Sequence, residues 1–319
     1  MSSSGTTPVE TEFRAAESAL YEHYGLKHTE RFVQLTAPSI KIRVVEVGDD
    51  NSTRPPILLL HGIASVTAAA IPLLPLLGGR RILAVDWPGH GLSDPLVLGR
   101  HTDLRAHVVS VIDTVLDDFE AKSVDIMAHS LGGQFALYYV LARPNRVRRL
   151  VLLGAPGAGF EGVQPVAAMR IMAIPGIGRA ILSLPASPGA YKKNSEGMLG
   201  AGALDGYPDE VGDVGYFGSQ RKAFPPSLAS FFRALITPFS VRKGVAVPRA
   251  DLATITTPTL MVWGDKDVFL TPERGRTNLD TIPGSQLLMV DGGHAPWLNE
   301  LELTGATILR FLDSKSGTA

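Results

Sequence analysis

The sequence predicts a doubly wound, mostly parallel α/β sheet with an inserted helical cap, on three observations. Six short runs are almost purely apolar: ILLLH from Ile57, RILAVD from Arg81, SVDIMAH from Ser123, RRLVLLG from Arg148, PTLMVWG from Pro258 and SQLLMVD from Ser285. Runs of this kind mark parallel strands buried on both faces. Helical stretches separate several of them, which calls for crossovers on both sides of one sheet. The alternation then stops between Gly157 and about Ala250, where Gly and Pro recur and apolar residues fall at helical spacings.

Taken in order, residues 1 to about 11 are small and polar and read as a loose tail, followed by a short helix around Phe13–Tyr24. Arg31–Leu35 and Ile40–Val47 read as two antiparallel strands joined through a turn at Pro38, with Gly48-Asp49-Asp50-Asn51 as the next turn. Ile57 to Gly79 carries no Asp, Glu, Lys or Arg over a length that could cross a bilayer, but His61, Gly62, Pro72 and Pro75 interrupt it. Ile57–Leu60 alone reads as a buried strand entering a loop. Asp103–Phe119 is an amphipathic helix with Leu104, Val108, Val111, Val115 and Phe119 on one stripe and Thr102 as its cap. A second helix runs from Leu131 to Arg143 and stops before Pro144. The expected organisation is therefore a discontinuous core, 1–156 and 251–319, around a helical cap over 157–250.

Composition narrows the function. The chain has 319 residues, 45% of them hydrophobic, a formal net charge of -1 and no cysteine. The length supports a full core. Near-neutral charge without a long basic run argues against a nucleic-acid or anionic-membrane partner and for small neutral substrates. Without cysteine there is no disulfide, thiolate nucleophile or Cys-ligated metal. The N-terminus, MSSSGTTPVETEFR, has neither a basic start nor an apolar stretch, so a cytoplasmic location is the default expectation.

The chemistry concentrates at Val124-Asp-Ile-Met-Ala-His-Ser-Leu-Gly-Gly133, which sets Ser130 between an apolar strand and a helix. A serine on so sharp a turn needs small residues two places before and two after, and Ala128 and Gly132 supply them. The turn lifts the Ser130 hydroxyl above the carboxyl end of the sheet and aims the first amides of the helix, Leu131 N–H foremost, at the same space. A serine hydroxyl also needs a base, itself held by a third group. His294 lies in the glycine-flanked stretch VDGGHAPW, and LMVWGDKD offers two carboxylates, Asp265 and Asp267. The order serine, acid, histidine fits a known hydrolase order.

These segments together resemble the capped members of the α/β-hydrolase superfamily. The resemblance rests on AHSLGG at 128–133, LLLHG at Leu58–Gly62, DWPGHGLSD at Asp86–Asp94, WGDKD at Trp263–Asp267 and GGHAPWLNE at Gly292–Glu300, and it covers nearly the whole chain. Ala128 stands where relatives commonly have glycine. The resemblance implies Ser130 as nucleophile and His294 as base, selects Asp267 over Asp265 by its register from Gly264, and adds the Ile63 backbone N–H as second oxyanion donor. It implies no cofactor. A nucleophilic serine is unlike the aspartate of haloalkane dehalogenases and epoxide hydrolases of this fold.

The other polar residues of these motifs read as structural. His61 and His90 brace their loops, His129 packs between strand and helix, and Asp86 and Asp94 hold turns. His23, His28, His101 and His107 make no metal-ligand spacing, so no metal is expected. In the cap, Phe217, Phe224, Phe231, Phe232 and the methionines read as ordinary helix packing before they read as a substrate cavity. The expected activity is hydrolysis of a small or medium apolar carboxylic ester, lactone or thioester through an acyl-serine. Two alternatives stand beside it: a carbon–carbon bond hydrolase of a vinylogous diketone, and a ligand-binding module or receptor that has kept the fold.

Overall fold

The computed structural model describes residues 6–48, 53–99 and 102–314. Its first helix, α1 (Pro8–His23), begins earlier than the composition suggests, because Thr7 and Glu10 form a reciprocal capping box and Pro8 occupies the first turn. Residues 8–11 are thus helical and not part of a loose tail. The strands are β1 (His28–Thr36), β2 (Ser39–Val47), β3 (Ile57–Leu60), β4 (Ile82–Val85), β5 (Val124–His129), β6 (Val147–Leu153), β7 (Thr259–Gly264) and β8 (Gln286–Val290). The turn expected at residues 48–51 lies mostly outside the described residues.

One eight-stranded sheet has the order β1-β2-β4-β3-β5-β6-β7-β8. β1 pairs antiparallel with β2, and β2 with β4; the pairs from β3 to β8 are all parallel. Every residue of β3, β4, β5 and β7 is buried. β8 departs from that pattern: at the sheet edge it is largely uncovered, and Met289 is 46% exposed.

Neighbouring side chains on a strand point to opposite faces, and the core divides accordingly. Leu58, Leu60, Leu150, Leu152 and Trp263 pack on one face with α2 (Leu104–Asp118) and α3 (Leu131–Ala142). Ile57, Leu59, Val151, Leu153 and Val262 pack on the other with α1 and a 3-10 helix over Thr67–Leu77. The uncharged stretch 57–79 is therefore a buried strand and a 3-10 helix, and among the described residues no helix is long and apolar enough to cross a membrane. At α2 the cap is Asp103, whose carboxylate accepts from Ala106 N–H; Thr102 instead accepts from Gly99 N–H.

Between β6 and β7 come α4 (Ala167–Met172), α5 (Ile177–Leu182), α6 (Pro188–Leu199), α7 (Glu210–Gln220) and α8 (Phe224–Leu235), then the short α9 (Arg249–Leu252). α9 straddles the position at which the sequence places the return to the core. α10 (Pro272–Thr281), α11 (Pro296–Asn299) and α12 (Leu301–Asp313) complete the chain, and Ile308, Phe311 and Leu312 of α12 join the same core face as α1.

Candidate active site

Ser130 follows β5 and precedes α3 with φ 52° and ψ -117°, a region that side-chain-bearing residues seldom occupy. The surroundings hold it there. A β-carbon on Gly132 would come within 2.3 Å of the Leu60 carbonyl oxygen, so only glycine lets α3 close against β3. Ala128 is fully buried and fits.

His294 reaches the serine from the loop after β8. Its Nε2 lies 2.8 Å from Ser130 Oγ and its Nδ1 2.8 Å from Asp267 Oδ2. Gly154 makes room for that loop: at φ 65° it takes a left-handed conformation, and a β-carbon there would meet the His294 carbonyl oxygen at 2.3 Å. Asp267 is completely buried. Burial works to raise its pKa, but the neighbouring His294 and the amides of Ala155 and Phe269 outweigh it and hold the carboxyl below its ordinary value. Those amides donate over 2.8 and 3.0 Å, fixing both carboxylate oxygens. The remaining lone pairs of Oδ2 face the imidazole. Asp265, two residues earlier, accepts from Gly292 N–H at 3.1 Å and so ties the two loops together.

The arrangement can move a proton from Ser130 Oγ to Nε2 while Nδ1–H stays bonded to a fixed carboxylate. Leu131 contributes a first-turn amide of α3, which has no intrahelical acceptor. Ile63 and Leu131 both line the cavity that opens at Ser130.

That cavity is lined further by Gly157, Ala158, Val163, Pro165, Met169, Phe232, Leu235, Ile236 and Phe269. Gln134 is the one remaining lining residue, and its polar atoms are turned to the protein: Oε1 accepts from Ala158 N–H at 2.9 Å and Nε2 donates to Tyr138 Oη at 2.7 Å. Among the described residues no charged side chain lines the cavity. Phe232 and Met169 face it, whereas Phe224 and Phe231 pack edge-on against His90 with centroids 5.5 and 5.7 Å away. Phe217 sits partly buried against the opposite core face.

His61, His90 and His129 are held neutral. His61 donates from Nδ1 to the Gly62 carbonyl at 2.7 Å and accepts at Nε2 from Trp87 N–H at 3.1 Å. His90 donates to the Pro88 carbonyl and accepts from Ala64 N–H, and burial pushes its pKa down to about 3. With one nitrogen donating and the other accepting, neither ring has a place for a second proton. His129 lies against His294, donating to its carbonyl oxygen at 3.0 Å, and burial drives its pKa well below the ordinary value. Asp86 accepts from Thr67 and Leu92 amides and pairs with Arg43, and Asp94 accepts from Lys41 N–H. His101 lies outside the described residues. Among the described residues no group of three or more His, Cys, Asp or Glu side chains could hold a metal ion.

Sequence reasoning missed Gln134, Phe269 and the cap residues of the cavity. Gln134 was available from spacing, since it follows Ser130 by one helical turn. Phe269 follows Asp267 by two and stacks edge-on to His294 at 4.3 Å. Nothing local marks Val163, Pro165, Leu235 and Ile236, whose positions depend on how the inserted helices settle.

Known proteins resemble the chain along the same lines. A family model described as alpha/beta hydrolase fold matches residues 55–173. A 2-hydroxy-6-oxononadienedioate/2-hydroxy-6-oxononatrienedioate hydrolase of Cupriavidus pinatubonensis is 26% identical over 84% of this chain and 90% of its own length. A protein of the same name from Klebsiella pneumoniae is 26% identical, over 89% of this chain and 96% of its own. Among solved structures, a Bacillus subtilis carboxylesterase superposes with a TM-score of 0.75 at 19% identity, covering 96% of this chain and 99% of that one. The 2-hydroxy-6-oxo-6-phenylhexa-2,4-dienoate hydrolase of a Rhodococcus strain gives 0.71 at 17% identity, covering 91% and 100%. At such identities the structures speak for the fold.

Proposed function

For a chain that belongs to the α/β-hydrolase superfamily and is a hydrolase, we propose the hydrolysis of small or medium apolar carboxylic esters, lactones or thioesters through an acyl-serine. The observation that carries this reading is a hydrogen-bonded Ser130–His294–Asp267 chain opening onto a cavity with no charged lining residue. Ser130 Oγ attacks the carbonyl carbon as His294 Nε2 takes its proton, and Asp267 stabilises the imidazolium. The amides of Ile63 and Leu131 bind the oxyanion; a donor in that role supplies about 2.7–4 kcal/mol of transition-state stabilisation. The tetrahedral intermediate collapses, His294 protonates the departing alkoxide, and the acyl-serine remains. Water then gives its proton to His294, attacks the acyl carbon and releases the acid. In this reading the segment 157–250 is a cap whose inner side chains select the acyl group.

A second reading, carbon–carbon bond hydrolysis of a vinylogous diketone, is favoured by the two relatives named as nonadienedioate hydrolases. Their named substrate is a dicarboxylate. A carboxylate brought into an uncharged apolar cavity loses its hydration without gaining a cation, which puts neutral esters first for this chain.

Labelling with a fluorophosphonate, followed by a panel of esters of graded acyl length set against a vinylogous diketone acid, tests both. The ester reading expects Ser130 to label and neutral esters to turn over faster. A folded protein that does not label, or one that cleaves the diketone acid and spares every ester, would overturn it. Ser130→Ala is expected to lose labelling and turnover together.

A further inference from the structure

We propose that the outer face of α4 and α5, with the loop that follows α8, docks on an anionic phospholipid bilayer. α4, α5 and α8 pack on one another, and α4 and α8 supply Met169, Phe232 and Leu235 to the cavity. A helix of a globular protein buries one stripe and shows water a polar one. α5 does otherwise: Ile177, Ile181 and the following Leu184 recur at intervals of four and three, and are 47%, 37% and 66% exposed. Phe239, in the loop after α8, is 85% exposed, and Arg242 returns that loop to the helix by donating to the Arg233 carbonyl.

The stretches of chain around this face carry charge of one sign. Over residues 162–195 and 222–248 the chain carries eight Lys and Arg and no Asp or Glu, against 30 and 31 in the whole sequence. The net charge of -1, which by itself argues against an anionic surface, hides this separation. Arg170 and Arg179 lie on α4 and α5, and Arg242 and Lys243 in the loop after α8 that bears Phe239. Basic side chains gain from the negative surface of a leaflet while apolar side chains enter the headgroup boundary, and the two weak signals reinforce each other. A free anion would leave the apolar side chains in water. A second copy joined two-fold through this face would set these cations against one another. The surface does not depend on the chemistry at Ser130, so it is tested without turnover.

The test is co-sedimentation of the full chain with vesicles of phosphatidylcholine alone and of phosphatidylcholine mixed with phosphatidylglycerol, at low and high salt. Binding is expected to rise with phosphatidylglycerol and fall with salt. Arg179→Glu and Leu184→Asp are each expected to weaken it roughly fivefold or more, with melting temperature and hydrolysis of a dissolved short ester unchanged. Phe239→Ser, in a loop, gives the same reading without altering a helix. Equal sedimentation with both vesicle types, or binding undiminished in all three variants, overturns the proposal. So does a wild-type dimer in gel filtration that Leu184→Asp dissociates, since the face then belongs to a second copy.

Discussion

Asp267 meets His294 through a 2.8 Å contact between Oδ2 and Nδ1, and both carboxylate oxygens of Asp267 are also bonded to backbone amides from separate loops. The carboxylate is thus fixed before the imidazole leans on it. Its orientation dictates which imidazole nitrogen carries hydrogen, and therefore which one faces Ser130.

Replacing that carboxylate by an amide keeps the shape and loses the charge. Asp267→Asn is expected to lower kcat by roughly three to four orders of magnitude, through the wrong tautomer and an unsupported imidazolium. Asp265→Asn keeps an oxygen that can accept from Gly292 N–H and removes only a charge that does not touch His294, and is expected to cost no more than about tenfold. Steady-state kinetics on one ester compares them, and a larger loss in Asp265→Asn would reverse the assignment.

The turn at Ser130 makes a steric prediction. Gly132→Ala drives a β-carbon to 2.3 Å from the Leu60 carbonyl and 2.9 Å from that of His61, backbone atoms that cannot step aside. It is expected to destabilise the protein by several kcal/mol and abolish labelling of Ser130. Ala128→Gly at the other small position is expected to cost about 1 kcal/mol and keep labelling. Urea denaturation and probe labelling of both variants decide it.

Local patterns of sequence carry the central strands and the proposed triad because those strands are largely apolar on both faces and each residue proposed as catalytic sits in a loop at a strand's carboxyl end. Ser130 follows β5 directly, and Asp267 and His294 lie three and four residues beyond the ends of β7 and β8, so finding the strands nearly finds the site. The edge strand β8 shares the apolar composition of its neighbours, yet Met289 is 46% exposed, because exposure on a strand depends on what covers that face of the sheet, which no local pattern encodes. The cap is harder still. Phe224, Phe231 and Phe232 are alike in composition, and only the rotation of α8 sends the last of them to the cavity and the other two to His90. The start of α1 was legible in Thr7, Pro8 and Glu10, a capping signature masked by the polar tail before it.

Acid sensitivity follows from the buried histidines. Burial lowers the pKa of His61, His90 and His129 from the ordinary 6.5, to about 3 for His90. The unfolded chain therefore binds more protons than the folded one below about pH 6.5. Stability contributed by the neutral rings is full above that pH and is lost as pH falls towards the folded values. Denaturation measured across pH 7 to 4 is expected to show a decline that begins before ordinary carboxylates titrate. His90→Gln is expected to flatten the slope, and an unchanged slope in that variant would refute this source.

The last expectation concerns Gln134, which stands one turn after Ser130 and bonds both ends of the inserted segment. Its Oε1 accepts from Ala158 N–H at the start, and its Nε2 donates to Tyr138, whose hydroxyl donates in turn to the Val245 carbonyl near the end. Val247 N–H closes the ring on the Gly159 carbonyl at 2.8 Å. Gln134→Leu keeps the apolar volume but strands the buried Ala158 N–H and one partner of Tyr138, and is expected to cost about 1–3 kcal/mol. Tyr138→Phe removes the second half of the same path. Because the two share one network, the double variant is expected to lose less stability than the sum of the singles. Strict additivity in urea denaturation would mean that the residues act separately. If the network sets the spacing between cap and nucleophile helix, Gln134→Leu also raises KM more for long acyl esters than for short ones, a change that loss of stability alone does not produce.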